Sequence, residues 1–215
     1  MLLVSMQGVS KIGLARREML TRSAALFGVG ALLTSSLGGQ SPASDVTLLN
    51  YALSFENLQA AFYTQGMAQL SSVNFANSTF IQNLGDVISG DVYAYLCLIR
   101  DQENQHVRML QSLITSLGGT PVKPCTYNFG YKTADQFATL AALLENTGVM
   151  AYAGALYQIQ SLSIKTTAAT MATVEGRHAA YLNLLTGNSP SPSSFDTPAT
   201  SAAILATMAQ YVTSC

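Results

Sequence analysis

The sequence predicts an all-α protein: a four-helix bundle with a long crossover between helices two and three and a short C-terminal helix. Three observations predict it. Four segments of helical length repeat apolar or small residues at steps of three and four, the spacing that lines one helix face. No stretch carries a convincing strand alternation, and no Gly-rich phosphate-binding fingerprint is present. The connection after the second segment is long, whereas that after the third is short.

The first helix is expected to begin after Ser44-Asp45, with Asp45 as its N-cap, and to end near Leu70. A polar break at 71–77 precedes a short segment holding Phe80, Ile81 and Leu84. The second helix follows Gly85 or Gly90 and runs to Leu117, where Gly118-Gly119 ends it and Pro121 bars continuation. Residues 118–132, with an irregular stretch from Lys123 to Lys132, form the crossover. Fifteen residues extend to about 50 Å, enough to travel the length of a ~40 Å helix. The third helix is expected from Ala134 to Gln160, a tight reversal at Ser161 to Ile164, and the fourth helix from Lys165 to Leu185. A Pro/Ser-rich passage, Asn188 to Thr197, leads into an apolar segment, Ala199 to Val212, read as a fifth short helix. The bundle is thus assigned to 44–187 and a C-terminal extension packed on it to 188–215.

At 215 residues, 49% apolar and 10% charged, the chain suits one globular domain. From Ser44 onward six Lys or Arg stand against ten Asp or Glu, so no basic patch points to nucleic acid. The low charge and the surplus of apolar helix positions suggest a homodimer or a partner surface. Residues 1–43 read as an export signal: Ala15-Arg16-Arg17-Glu18-Met19-Leu20 sets paired arginines before the apolar run Ala24 to Leu33, and Ser41-Pro42-Ala43 offers a small-x-small cleavage site. The pattern is that of a twin-arginine signal, with Met19 at the position where Phe is commonest. Glycine, serine and threonine interrupt the run, so stable membrane insertion is not expected after cleavage. The expected destination is a bacterial periplasm or the extracellular space, with a thylakoid lumen as the alternative. In such a compartment Cys97, Cys125 and Cys215 can form one disulfide, and the favoured pair is Cys125 with Cys215, because a tail reaches a loop more easily than a helix distorts.

Beyond residue 43 the chain contains four glutamates and two histidines, and all fall in one pattern: Glu56, then Glu103-x-x-His106, then Glu145, then Glu175-x-x-His178. On the second helix Leu96, Ile99, Glu103, His106, Leu110, Leu113 and Leu117 share a face, as do Ala168, Met171, Glu175, His178, Leu182 and Leu185 on the fourth. The first helix places Glu56 among Leu49, Ala52, Tyr63 and Leu70, and the third places Glu145 among Ala138, Ala141, Gly148, Tyr152 and Ala155. Four inward carboxylates are costly to bury unless each is paired or coordinated. Two divalent cations balance four ionised glutamates, and each histidine adds a neutral nitrogen donor. The expected ligands are Glu56, Glu103 and His106 for one metal and Glu145, Glu175 and His178 for the other, with Glu103 and Glu175 as candidate bridges. Two Fe suit this mixed oxygen and nitrogen set, two Mn are the alternative, and Zn would bring no redox chemistry. Arg100, Asp101, Gln59, Tyr63, Tyr152 and Tyr181 are candidates to orient the ligands. The competing reading is a metal-free bundle whose polar residues are compensated by Arg100, Arg108 and Arg177.

The chain resembles the ferritin-like domain family that includes exported bacterial, plant desiccation-related and fungal stress-response proteins. The resemblance spans about residues 46 to 200 and rests on Leu49-Asn50-Tyr51-Ala52-Leu53-Ser54-Phe55-Glu56, Asp101-Gln102-Glu103-Asn104-Gln105-His106, Gly118-Gly119-Thr120-Pro121, Leu144-Glu145-Asn146-Thr147-Gly148 and Val174-Glu175-Gly176-Arg177-His178. It implies the fold far more sharply than the reaction. The expected function is an exported di-iron or di-manganese protein that reacts with O2 or peroxide in stress protection, with oxidase, ferroxidase or catalase-like chemistry. The alternatives are metal binding or storage without turnover, and a metal-free structural or protective bundle. A mineral-storing cage and rubredoxin-like electron transfer are disfavoured, because acidic residues are few outside the pattern and C-x-x-C pairs are absent.

Overall fold

The computed structural model describes residues 45–85 and 89–215, and the export segment expected at 1–43 lies outside them. The elements run α1 (Asp45–Gln69), α2 (Ser72–Ala76), α3 (Thr79–Gln82), α4 (Val92–Ser116), β1 (Thr126–Tyr127), α5 (Ala134–Leu156), α6 (Leu162–Leu185), α7 (Ser201–Ala209) and β2 (Val212–Ser214). Helices α1 and α4 form one closely packed pair, and α5 and α6 form the other.

Helix directions follow from hydrogen bonds at one end of the bundle. Asn50, near the start of α1, donates to Thr120 O at 3.2 Å and accepts from Val122 N at 2.8 Å, both just beyond α4. The carboxylate of Asp45 accepts from Gln160 N and Ser161 N, between α5 and α6, at 2.8 and 2.9 Å. The ends of α4 and α5 therefore lie beside the start of α1. These two helices are parallel, and the chain between them must travel the length of the bundle, as its length allows.

Several boundaries differ from the sequence reading, each for a local reason. Asp45 is the first residue of α1, and its side chain satisfies amides of the neighbouring reversal. That reversal begins at Tyr157, so α5 stops short of Gln160; Ser161 caps α6 by accepting from Ile164 N, which starts that helix three residues before Lys165. The polar break after α1 is itself partly helical, with Asn74 Oδ1 accepting from the Ser71 amide at 2.8 Å. Gly118 takes φ 77° after α4, and the Gly119 amide reaches Ile114 O at 3.0 Å, closing the helix as expected. Near that end Ile114 is buried while Leu117 is 44% exposed, because 3.6 residues per turn carries a strict three-four stripe off the core face.

The crossover is not wholly irregular. Strand β1 pairs antiparallel with β2 at the chain end, and Cys125 and Cys215 form a disulfide beside the pair. Strands of two and three residues are too short for alternation to announce them. Cys97 remains a free thiol. The tail also docks on the bundle, with Ala199 N donating to Met150 O at 3.0 Å and Ile204 and Met208 buried.

Two apolar clusters fill the core. One, at the end where α1 begins, holds Leu49, Leu53, Leu110, Ile114, Ile164 and Met171. The other is aromatic: Phe62 stacks on Phe137 with centroids 4.5 Å apart and meets Phe129 and Tyr131 of the crossover edge-on at 5.1 and 5.5 Å. Part of the surplus apolar surface of α1 is thus covered within the chain. Along every long helix the glutamates fall between residues of the two clusters, so a buried polar layer crosses the bundle where they meet.

Candidate metal centre

All six residues of the sequence pattern converge. Glu56, Glu103, Glu145 and Glu175 have no solvent exposure, and His106 and His178 are 8% and 4% exposed. Their donor atoms form two compact groups, Glu56, Glu103, His106 and Glu175 in one and Glu103, Glu145, Glu175 and His178 in the other, each with all atoms within 4.8 Å of one another. Glu103 and Glu175 belong to both. His106 Nδ1 lies 3.3 Å from Glu56 Oε2, 3.3 Å from Glu175 Oε1 and 3.6 Å from Glu103 Oε2. His178 Nδ1 lies 2.8 Å from Glu103 Oε1 and 3.3 Å from Glu145 Oε2. The two oxygens of Glu103 are therefore divided between the histidines.

Helix periodicity explains this convergence. Within each E-x-x-H the two side chains are one turn apart on one face, and the face is otherwise apolar. The pattern also has an approximate two-fold relation between helix pairs. Tyr63 stands seven residues after Glu56, and Tyr152 stands seven after Glu145. Tyr63 Oη donates to Glu145 Oε1 at 2.6 Å, and Tyr152 Oη donates to Glu56 Oε1. Each single glutamate is thus held by the tyrosine of the opposite helix.

Two departures from that symmetry matter. Gln59, three residues after Glu56, donates from Nε2 to Glu175 Oε2 at 3.2 Å, while the equivalent position after Glu145 is Gly148. A Cβ on Gly148 would meet Glu175 Oε2, and would stand 3.1 Å from Phe55 and 3.4 Å from Gln59 Nε2, so glycine leaves the space that Glu175 and Gln59 use. Gln102 Oε1 lies 2.6 Å from His178 Nε2, whereas its counterpart beside Glu175 is Val174. An amide oxygen accepts, so His178 Nε2 carries hydrogen and, in the neutral ring, the Nδ1 lone pair faces Glu103 and Glu145.

The electrostatics are those of crowded, desolvated acids. Burial and the charge of Glu103 push the Glu56 carboxyl up to about 7. Burial and the charges of Glu103, Glu145 and Glu56 raise Glu175 well above the usual carboxyl range. Burial alone would lower both imidazoles, but the carboxylates packed against them outweigh it, raising His106 strongly and His178 to about 10. Burial and the neighbouring glutamates also keep the Tyr63 and Tyr152 hydroxyls protonated, as donors.

The donor set fits metal. Both oxygens of Glu103, Glu145 Oε2, Glu175 Oε1 and His178 Nδ1 are buried without a hydrogen bond, although the nearest pairs approach to 2.8 Å. Buried polar atoms seldom stay unsatisfied, so these lone pairs face a common centre and not one another. At a metal–ligand distance of about 2.1 Å, donors at right angles stand about 3 Å apart, close to the spacing of these atoms.

Of the residues expected to orient the ligands, Gln59, Tyr63 and Tyr152 hydrogen-bond to glutamates of the layer. Arg100 and Asp101 instead pair with each other near the surface at 2.8 Å, and Tyr181 meets Tyr95 edge-on. Gln102 was not foreseen, although its place one residue before Glu103 and one turn from His106 put it beside the site face. Among the described residues none of Arg100, Arg108 and Arg177 forms an ion pair with the glutamates, so arginine compensation is not how the layer is neutralised.

The family model of the ferritin-like domain matches residues 44–188. The chain belongs to the ferritin-like domain family. No curated protein matches it. A ferritin-like bundle with buried carboxylate and imidazole groups of this kind can hold metal.

Proposed function

We propose that this chain is an exported dinuclear metal protein, holding two Fe or two Mn, that reacts with O2 or peroxide in stress protection. The observation that carries the reading is the sharing of Glu103 and Glu175 between two donor groups, each completed by one further glutamate and one histidine. Glu56 and His106 would complete one position, and Glu145 and His178 the other. Two adjacent redox metals, when bound, supply a two-electron change and a shared binding face for both oxygens of a peroxide. The chain's own contribution is to hold the donors rigidly. Tyr152 and Tyr63 fix the single glutamates, Gln59 fixes Glu175, Gln102 sets the His178 tautomer, and the two apolar clusters keep water from the layer.

Export is supported by the paired Arg16-Arg17 ahead of an apolar run, and by the Cys125–Cys215 disulfide, a bond that persists in oxidising compartments. No helix among the described residues is long and apolar enough to cross a membrane.

Metal analysis of protein purified without chelator, and again after reconstitution with Fe or Mn, tests the reading. About two metals per chain are expected of a dinuclear site, and none after reconstitution would refute it. Glu103→Ala and Glu175→Ala should each lower the stoichiometry, and unchanged binding would reject their shared role. Consumption of O2 or peroxide by the loaded protein then tests turnover, with inactivity toward both removing the redox assignment.

A further inference from the structure

A cleft of about 290 Å³ opens on the seam between α4 and α6. We propose that it binds a small aromatic carboxylate and serves as the recognition site for an organic substrate of the buried centre. The second clause rests on the dinuclear reading above, whereas binding itself does not.

Position is the first argument. Gln102 and His178 both line the cleft, and they are joined by the 2.6 Å contact at His178 Nε2. The same imidazole turns Nδ1 to Glu103 and Glu145. One ring therefore separates a ligand in the cleft from the carboxylate layer.

The walls supply the chemistry. Tyr95 and Tyr181 meet edge to face, with centroids 5.8 Å apart and planes at 78°. Tyr95 and Leu98 remain 45% and 51% exposed at the mouth, so apolar surface is available to a third ring. The volume lies at the small end of ligand cavities, about 300–1,000 Å³, which suits a single ring. Arg177 is the one Lys or Arg of the lining, no Asp or Glu accompanies it there, and it has no ion pair among the described residues. The guanidinium fork of Arg177 matches a carboxylate, and the tyrosines match the ring that carries it.

The approximate two-fold relation supplies an internal control. Its equivalents of Tyr95, Leu98, Arg177 and Tyr181 around His106 are Thr167, Thr170, Gln105 and Met109. The fold and the metal pattern do not require aromatic and cationic residues there, yet the His178 side alone has both.

Isothermal titration of the full, EDTA-treated chain with benzoate tests the inference, with phenol and cyclohexanecarboxylate as comparators. Benzoate should bind one to one and more tightly than either comparator. Arg177→Gln should weaken it about tenfold or more, the effect of losing a charge-assisted pair, and Tyr95→Ser should weaken it through loss of the ring contact. Both positions are exposed, so both variants should melt with the wild type. No benzoate binding by the wild type, equal affinity in Arg177→Gln, or phenol binding as tight as benzoate would each overturn the proposal. Metal uptake by the same chain on reconstitution with Fe or Mn separates the two readings: benzoate binding by a chain that never takes metal refutes only the dinuclear centre, and a metal-loading chain that ignores benzoate refutes only the cleft.

Discussion

Gly148→Ala places a single methyl group against the carboxylate layer, and its cost can be worked from the surroundings. In a helix interior alanine is favoured over glycine by about 0.8–1 kcal/mol. At Gly148 that gain is opposed, because the new Cβ would meet Glu175 Oε2 and stand 3.1 Å from the Phe55 ring. Overpacking of this kind costs about 1–3 kcal/mol. Displacing Glu175 also breaks its hydrogen bond from Gln59 Nε2, and a buried donor left without a partner costs about 1–3 kcal/mol. The expected net is a loss of about 1–5 kcal/mol, which for a chain of this size lowers Tm by roughly 2–4 °C per kcal/mol. Gly176→Ala is the control: it lies in α6 beside Glu175, nothing stands within 4 Å of its added Cβ, and it should stabilise by about 0.5–1 kcal/mol. Calorimetry of the metal-free proteins reads both. Metal analysis should find Gly148→Ala depleted and Gly176→Ala unchanged. A Gly148→Ala variant as stable as wild type with full metal content would refute the packing argument.

Tyr63→Phe and Tyr152→Phe each remove the hydroxyl that holds a glutamate from the opposite helix, and metal affinity should fall about 10–100-fold, the usual effect of losing a ligand's hydrogen-bond partner; competition with a chelator measures it, and unchanged affinity would deny the tyrosines a positioning role. The metal-free protein should lose stability as pH rises. Glu56 and His178 hold protons more tightly folded than unfolded, from 4.5 to about 7 and from 6.5 to about 10, so the folded state binds more protons across that window and alkali favours unfolding. Urea denaturation of EDTA-treated protein at several pH values checks the sign, and the metal-loaded protein should show the opposite trend, because binding displaces the same protons. Reduction of Cys125–Cys215, which spans 90 residues of chain, should cost about 2–4 kcal/mol while leaving metal content intact, since the bond lies in the β clasp and away from the site. Loss of metal on reduction would show that the clasp organises the centre.

Much of the bundle was legible because burial imposes a period on each helix. Glu103, His106, Glu175 and His178 occupy steps of the apolar stripe, so sequence spacing alone aimed them at the core, where all four are found. Gln59, Tyr63 and Tyr152 were visible for the same reason. The clasp was hidden because strands of two and three residues carry no periodic signal and depend on a partner far along the chain. The end of α5 and the start of α6 differ from the sequence reading because capping by Ser161 and the carboxylate of Asp45 decides the reversal, and the second contact is remote in sequence.

Residue types and helical period thus set out the six inward donors, the crossover and the all-α class before any coordinate was known, since each depends on neighbours within a few turns. Relations between helices required the packed structure. The division of the Glu103 oxygens between two histidines, the exchange of tyrosine donors between α1 and α5, the Gln102 contact that orients His178 and the cleft above it all depend on how far apart helix axes lie and how they are rotated. Those quantities emerge from the whole core packing at once, and no local spacing encodes them.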